Sequence, residues 1–289
     1  MKILITGATG FVGKNLYKAL IRNHEIYILT REQSDTSELY PEHQYVFTGD
    51  IEHLKDYMIS ERIDGVIHLA TKYVAEHKSD QIKDMINANI YLGTAILDAA
   101  VGAGVKWFLN IGTIWQNYNS PDYSDEYHPV NLYAATKQAF MTIAQFYTET
   151  SPIRFCTLKL CDTYGENDNR RKIMDLFAEV AKSGKTLDMS PGEQLLDIVH
   201  INKVIEEIEK LISLLSDNSK DYFPEYVVTS GKHISLRELA AHYERQHNVK
   251  LNINWGGRSY RKREVMKPYI GNIVSTKLTK FNGGGNLKG

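Results

Sequence analysis

The chain opens on Lys2-Ile-Leu-Ile-Thr-Gly-Ala-Thr-Gly-Phe-Val-Gly13, and few stretches restrict a fold as tightly. Ile3 to Ile5 read as a short apolar strand of the kind buried on both faces of a parallel sheet. The run breaks at Thr6-Gly7, and glycine recurs at Gly10 and Gly13. A helical pattern follows, with Phe11, Leu16, Ala19 and Leu20 on one stripe. A strand, a glycine turn and a helix N-terminus in that order let the backbone approach a pyrophosphate, whose charge meets free N–H groups and the helix dipole. A tight βα turn that happens to be rich in glycine is the plainer alternative. The position directly after a buried strand argues for the dinucleotide site.

Further strands are expected at 26–29, 45–48, 65–70 and 105–111, with helices at 11–22, 52–62, 80–103 and 130–149. Such alternation means α/β architecture, a Rossmann-like doubly wound parallel sheet. Two later helices, 203–213 and 235–246, each lead into a short strand, 226–229 and 251–255. At 289 residues there is room for a dinucleotide-binding domain over 1–162, with later returns near 197–230. A smaller C-terminal substrate-binding lobe is expected over 163–196 and 231–281, then a flexible tail over 282–289.

A formal net charge of -1 gives no electrostatic case for nucleic acid or an anionic membrane surface. No apolar run approaches the ~20 residues that span a bilayer, and the glycine turn leaves no place for a secretory leader at the start. The two cysteines, Cys156 and Cys161, lie an odd number of residues apart in one expected strand, so they face opposite ways and should not pair. The expected compartment is a reducing cytoplasm. No metal site is expected.

The residue past the second strand meets the 2′ position of an adenosine ribose, where a carboxylate suits NAD and an arginine suits the phosphate of NADP. Arg31 occupies that place, which favours NADPH over NAD; a solvated loop cation is the alternative. Asp50, after the third strand, either accepts from the adenine amino group or caps the next helix. Ala70, after the fourth strand, has the small size that a cofactor cleft needs, and His68 within that strand is expected to be a packing residue. The 80–103 helix is apolar around much of its circumference, so it must bury two faces, one on the sheet and one on a partner.

The reactive chemistry sits in Tyr133-Ala-Ala-Thr-Lys137. Positions i and i+4 share one helix face, so phenol and ammonium point the same way. A free phenol with a pKa near ~10 is a poor acid at neutral pH; a neighbouring ammonium favours its ionised form and brings it towards proton exchange. Of the 18 tyrosines, Tyr133 alone has lysine four residues on. Thr113, a hydroxyl at the end of the fifth strand, lies twenty residues upstream.

The Thr-Gly-x-x-Gly-x-x-Gly turn, the Tyr-x-x-x-Lys pair and the upstream hydroxyl together resemble the extended short-chain dehydrogenase/reductase family, which acts largely on nucleotide-diphosphate sugars. Leu160-Cys-Asp-Thr-Tyr-Gly165 and Asp197-Ile-Val-His200 resemble later segments of that family. More narrowly, 112–116, 130–137 and 261–266 look like the 4-keto reductases of CDP-linked 3,6-dideoxyhexose synthesis, of the abequose and paratose type. These make precursors of O-antigen and lipopolysaccharide. The resemblance implies that Thr113 and Tyr133 bracket the reacting carbonyl or hydroxyl and that Lys137 also holds the nicotinamide ribose. It implies a cofactor lying along Thr6, Gly7, Thr9, Gly10, Phe11, Val12 and Gly13, then Arg31, Asp50, Ile51, Leu69, Ala70, Thr71 and Leu160, besides Tyr133 and Lys137. The sugar nucleotide would meet Lys72, Trp115 and Asp162. A homodimer through a four-helix bundle, built from 80–103 and 130–149, is also implied.

Three departures from the family pattern matter. Ile114 and Trp115 stand where dehydratases carry an acidic pair, so no acid is placed for sugar 4,6-dehydration. Leu196 replaces the arginine that often grips the substrate diphosphate, and Lys203 the aspartate that often follows. Asp162 stands where asparagine is common. Other cations must then hold the diphosphate: Arg170, Arg171 and Lys172, or Arg258 with Arg261 and Arg263, since a guanidinium fork matches phosphate oxygens in pairs. The expected activity is NADPH-dependent reduction of a sugar 4-keto group. A 4-epimerase that keeps NAD bound is the main rival, and a non-catalytic dinucleotide-sensing scaffold is a third reading.

Overall fold

The computed structural model describes residues 1–166, 168, 170 and 172–274. Seven parallel strands form one sheet: β1 (Lys2–Thr6), β2 (Glu25–Thr30), β3 (His43–Val46), β4 (Gly65–His68), β5 (Trp107–Thr113), β6 (Arg154–Leu160) and, after four short strands, β11 (Glu225–Val228). Their order is β11-β6-β5-β4-β1-β2-β3. The sequence runs outward from β1 in both directions, so a crevice opens beside β1 and β4 at the carboxyl ends of the strands. Open α/β sheets bind ligands at such a switch point. Ile3, Leu4, Ile5, Val66 and Ile67 have no exposed surface, as central strands covered on both faces require.

Helices cover the two faces. One core joins α1 (Phe11–Leu20) and α7 (Ile201–Leu215) to the sheet through Leu16, Leu20, Val204, Ile208 and Leu211. The other joins α2 (Ile51–Glu61), α4 (Leu92–Gly102) and α5 (Leu132–Thr150) through Leu54, Met58, Ile96, Leu97 and Phe140. The single helix expected over 80–103 is instead four joined pieces: a 3-10 turn at Ser79–Gln81, α3 (Ile82–Ile86), a π turn at Asn87–Tyr91 and α4. The π turn adds a residue to the helical repeat and buries Asn89. An apolar sequence pattern does not reveal such a turn.

A smaller cluster of Phe177, Val180, Met189, Leu236, Leu239 and Tyr243 packs α6 (Ile173–Ser183) against α8 (Leu236–His247). Beside it β8 (Leu187–Met189) pairs in parallel with β13 (Ile253–Trp255), and β9 (Leu195–Leu196) pairs antiparallel with β12 (Ile234–Ser235). The remaining pair, β7 (Asp162–Tyr164) with β10 (Ile198–His200), follows β6 directly and lies between sheet and cluster. Both cysteines are free, and no helix among the described residues is long and apolar enough to cross a membrane. The tail over 282–289 lies outside the described residues.

Gly65 opens β4 because Trp107 of β5 lies against it: a Cβ there would run into the indole, whose ring is fully buried. Gly65→Ala is therefore expected to destabilise the protein by about 1–3 kcal/mol through overpacking, read as a lower urea midpoint with an unchanged slope.

Candidate active site

The glycine turn folds as its spacing demands. Gly7 has φ +70°, and a Cβ there would lie 2.6 Å from the Ala70 amide nitrogen. At Gly13 a Cβ would run into the Gly7 carbonyl. Gly10 is exposed, and only the Gly7 carbonyl, 3.4 Å from its would-be Cβ, is near. Gly10 caps α1 without any side-chain hydrogen bond, so the first-turn N–H groups of Phe11 and Val12 remain available to an anion. The uncapped helix start and the open face at Gly10 fit a dinucleotide diphosphate. Thr6 ties this turn to β4: its hydroxyl accepts from the Ala70 N–H at 3.2 Å and lies 2.9 Å from His68 Nδ1. The His68 ring is buried against Phe108 and Phe140. Burial, and then the charge of Lys137, push its pKa down to about 3, so it stays neutral as a packing residue.

Other expected cofactor contacts surround the crevice. Leu69 and Ala70 follow β4, with the Leu69 N–H donating to the Thr6 carbonyl at 3.2 Å. Leu160 ends β6 half-buried. Arg31 is exposed just past β2, and its backbone N–H donates to Ser34 Oγ. Asp50 caps α2, accepting from the His53 N–H at 3.0 Å, which is the capping alternative left open by its position, and Ile51 begins the helix.

Tyr133 lies in the first turn of α5, whose cap Asn131 accepts from the Ala134 N–H at 3.0 Å and donates to the Ala75 carbonyl at 2.9 Å. That second bond fastens the helix start to the loop after β4. The Thr71 hydroxyl lies close enough to the Tyr133 phenol to act against the rise of its pKa. Thr71 donates to Asn89 Oδ1 at 2.9 Å, where the Lys72 N–H also donates at 2.7 Å. Asn89 Nδ2 donates in turn to the Lys72 carbonyl at 3.1 Å and to Thr136 Oγ1 at 2.9 Å. One buried amide thus joins the β4 loop to the α5 turn that carries the phenol. π turns recur where a side chain must be re-aimed in this way.

Lys137 is 2% exposed one turn along α5. Burial pushes its pKa down to about 8. Burial pushes Tyr133 up to about 12; the Thr71 hydroxyl and the Arg170 charge act against that rise, and the Tyr73 phenol adds to it. Desolvation thus outweighs the groups that oppose it, Lys137 not being among them, and the phenol keeps its proton. Thr113 is 9% exposed at the end of β5. Its hydroxyl accepts from the Trp115 N–H at 3.3 Å, and its own N–H donates to Gln116 Oε1 at 3.0 Å.

A cleft runs from this point, lined by Ile114, Trp115, Val130, Asp162, Leu195, Leu196, Asp197, Arg261, Arg263, Glu264, Val265 and Pro268. Arg263 stacks over the Tyr118 ring, 4.8 Å from its centroid, and Arg261 Nε is 3.0 Å from Glu76 Oε1. Arg258 is not among the lining residues, so the 258–263 cluster reaches the cleft through Arg261 and Arg263. Arg170 stacks on the Phe11 ring of the glycine turn at 4.3 Å and pairs with Asp168, which sets it over the cofactor side. Lys172 Nζ is 3.4 Å from Asp162 Oδ1, Lys72 pairs with Asp84 at 2.6 Å, and Arg171 lies outside the described residues.

Beneath the Trp115 loop lies a polar group that no motif marks. Lys159 is fully buried; it donates to Asn117 Oδ1 at 2.8 Å and pairs with Glu225, which also bonds the Tyr127 hydroxyl. Asn117 Nδ2 donates to the Glu126 carbonyl at 2.9 Å, so this network holds the 117–127 loop against β6 and β11. Burial pushes Lys159 down and Glu225 up, each to about 7, and the Asp125 charge adds to the rise of Glu225. A lysine in an apolar strand is its only trace in sequence. Among the described residues no group of His, Cys, Asp or Glu is placed to hold a metal ion.

The NAD dependent epimerase/dehydratase family model matches residues 3–222. A CDP-abequose synthase of Yersinia pseudotuberculosis is 30% identical over 271 residues, 93% of this chain and 92% of that protein. Among solved structures, a UDP-glucose 4-epimerase with UDP-glucose from Thermotoga maritima superposes with TM-score 0.81 at 18% identity, over 94% of this chain and 90% of that one. A UDP-glucuronic acid 4-epimerase from Bacillus cereus, in complex with UDP-glucuronic acid and NAD, gives TM-score 0.79 at 19% identity, over 93% and 90%.

The depressed lysine makes the site costly to fold. Below pH 8 Lys137 is charged in both folded and unfolded chains and the full burial cost applies; the cost is relieved as pH rises from 8 towards 10.5. Lys137→Met is expected to stabilise the protein at pH 7, by up to about 3 kcal/mol, while abolishing turnover. A urea midpoint no higher than that of the unmodified protein would contradict this.

Proposed function

The chain belongs to the NAD dependent epimerase/dehydratase family, and from that premise we propose that it reduces the 4-keto group of a nucleotide-diphosphate 3,6-dideoxyhexose with NADPH. It is an NAD(P)-dependent enzyme built on the Rossmann-like sheet. The observation that carries the proposal is the pairing of a neutral, buried Tyr133 with the apolar Ile114 and Trp115. A phenol that keeps its proton serves as an acid for a forming alkoxide. Elimination of a sugar hydroxyl would need an acidic pair where Ile114 and Trp115 stand.

The residues divide the work by position. Thr113 hydrogen-bonds the carbonyl oxygen at the end of β5, and Tyr133 gives its proton to the same oxygen as charge develops there. Lys137 holds positive charge one turn below, favouring the phenolate that Tyr133 then becomes. Asn89 and Thr71 fix where the phenol points. Arg261 and Arg263, at the far end of the cleft, take the diphosphate that an arginine at position 196 would otherwise hold. When bound, the nicotinamide supplies the hydride for the carbonyl carbon. The glycine turn and Arg170 hold the cofactor diphosphate, and Arg31 meets the 2′-phosphate. CDP as the nucleotide rests on the likeness to the CDP-abequose synthase.

The proposal includes a homodimer formed through the helices that flank the site. Ile82, Ile86, Tyr91 and Phe146 are 37–60% exposed on α3, the π turn and α5, an apolar patch suited to a second copy. These surfaces would meet as a four-helix bundle, with a cytoplasmic location in keeping with two free thiols.

Purified protein is expected to oxidise NADPH, with a strong preference over NADH, when given CDP-4-keto-3,6-dideoxyglucose, with product stereochemistry read by NMR. Arg31→Ala should narrow the NADPH preference by about tenfold, equivalent to ~1.4 kcal/mol. Tightly held NAD with no NADPH oxidation on any 4-keto sugar nucleotide would instead favour the epimerase. In sedimentation, the protein should be a dimer at micromolar concentration and Phe146→Glu a monomer.

A further inference from the structure

Tyr73 belongs to no motif, yet its ring stands edge-on to that of Tyr133, with centroids 5.0 Å apart and planes at 82°. On another side it meets Trp115, at 5.9 Å between centroids. The Lys172 ammonium lies 5.7 Å from the Tyr73 centroid and is itself drawn towards Asp162, which gives the ring a fixed setting. Tyr73 remains 49% exposed, and Trp115 is half-buried on the wall of the cleft, next to the buried Ile114. The Tyr133 phenol is thus met edge-on by Tyr73, which in turn touches Trp115 on the wall of the cleft.

We propose that Tyr73 and Trp115 form a specificity corner that selects a sugar carrying no hydroxyl on the carbon next to the reacting carbonyl. The inference rests on the reading of the site as a 4-keto sugar-nucleotide reductase. A carbonyl oxygen within reach of Tyr133 and Thr113 carries its neighbouring ring carbons one bond further on, against whatever flanks Tyr133. C–H groups pack favourably on aromatic faces. A hydroxyl pressed against the same faces loses its water without gaining a partner. Apolar pockets reject an added hydroxyl by at most about a hundredfold, which bounds the effect.

The test compares kcat/KM for CDP-4-keto-3,6-dideoxyglucose and CDP-4-keto-6-deoxyglucose, which differ by the hydroxyl at C3. The unmodified protein is expected to prefer the 3-deoxy sugar by about 10- to 100-fold. Tyr73→Phe should keep that ratio, because the ring and not its hydroxyl makes the corner. Tyr73→Asn and Trp115→Ser should each lower the ratio at least fivefold, chiefly through faster turnover of the hydroxylated sugar. Calorimetric binding of the two sugar nucleotides to Tyr73→Phe and Trp115→Phe, which keep ring packing, gives a second measure should the polar variants not fold. An equal rate on both sugars, a ratio unmoved by the polar variants, or a ratio lost in Tyr73→Phe would overturn the corner while leaving the reductase reading intact. No turnover of either sugar by the unmodified protein would remove the reductase reading, and the corner with it.

Discussion

Withdrawal of Tyr133 and Lys137 from water is the condition on which the site rests. An exposed Tyr-x-x-x-Lys pair on a helix would have ordinary acidities and no reason to act. Here the first turns of α5 are pressed against β4 and β5, and the same burial raises the phenol and depresses the ammonium. Both groups are thereby biased towards neutrality, so a charge arriving on the substrate finds polarisable partners with little competing water. The core must tolerate this, and it does so with Phe140 and the neutral His68 beside the pair.

Buried polar atoms then need partners, and two devices supply them. Asn89 makes four hydrogen bonds from inside a π turn, three to the β4 loop and one to Thr136 near the α5 start. On the opposite side of β5, Lys159, Glu225, Tyr127 and Asn117 fix the loop that follows Trp115. A half-satisfied network in either place would loosen the phenol or the cleft wall. The positions of Tyr133 and Trp115 are therefore set in part by buried groups on neighbouring elements.

Much of the catalytic frame was legible from local pattern. The turn at Gly7, Gly10 and Gly13 follows from steric need, because a side chain at Gly7 or Gly13 meets backbone that cannot move. Tyr133 and Lys137 share a face because helices repeat every 3.6 residues. Other parts were out of reach. The π turn leaves the apolar pattern of 80–103 unbroken, so a single helix was the natural expectation. Of the cations in the 258–263 cluster, only Arg261 and Arg263 line the cleft, a choice made by how the chain after β13 crosses it. Tyr73 carried no signal, being one aromatic residue in a loop.

The order of strands and helices, the dinucleotide turn and the shared helix face of Tyr133 and Lys137 were thus determined by the sequence itself, since each depends on residues within a few positions of one another. The burial of Tyr133, the set of arginines at the cleft and the aromatic ring beside Tyr133 were decided only by tertiary structure. They depend on exclusion of water and on contacts between residues far apart in the chain, such as Tyr73 with Tyr133 and Lys159 with Glu225. Local pattern has no access to either.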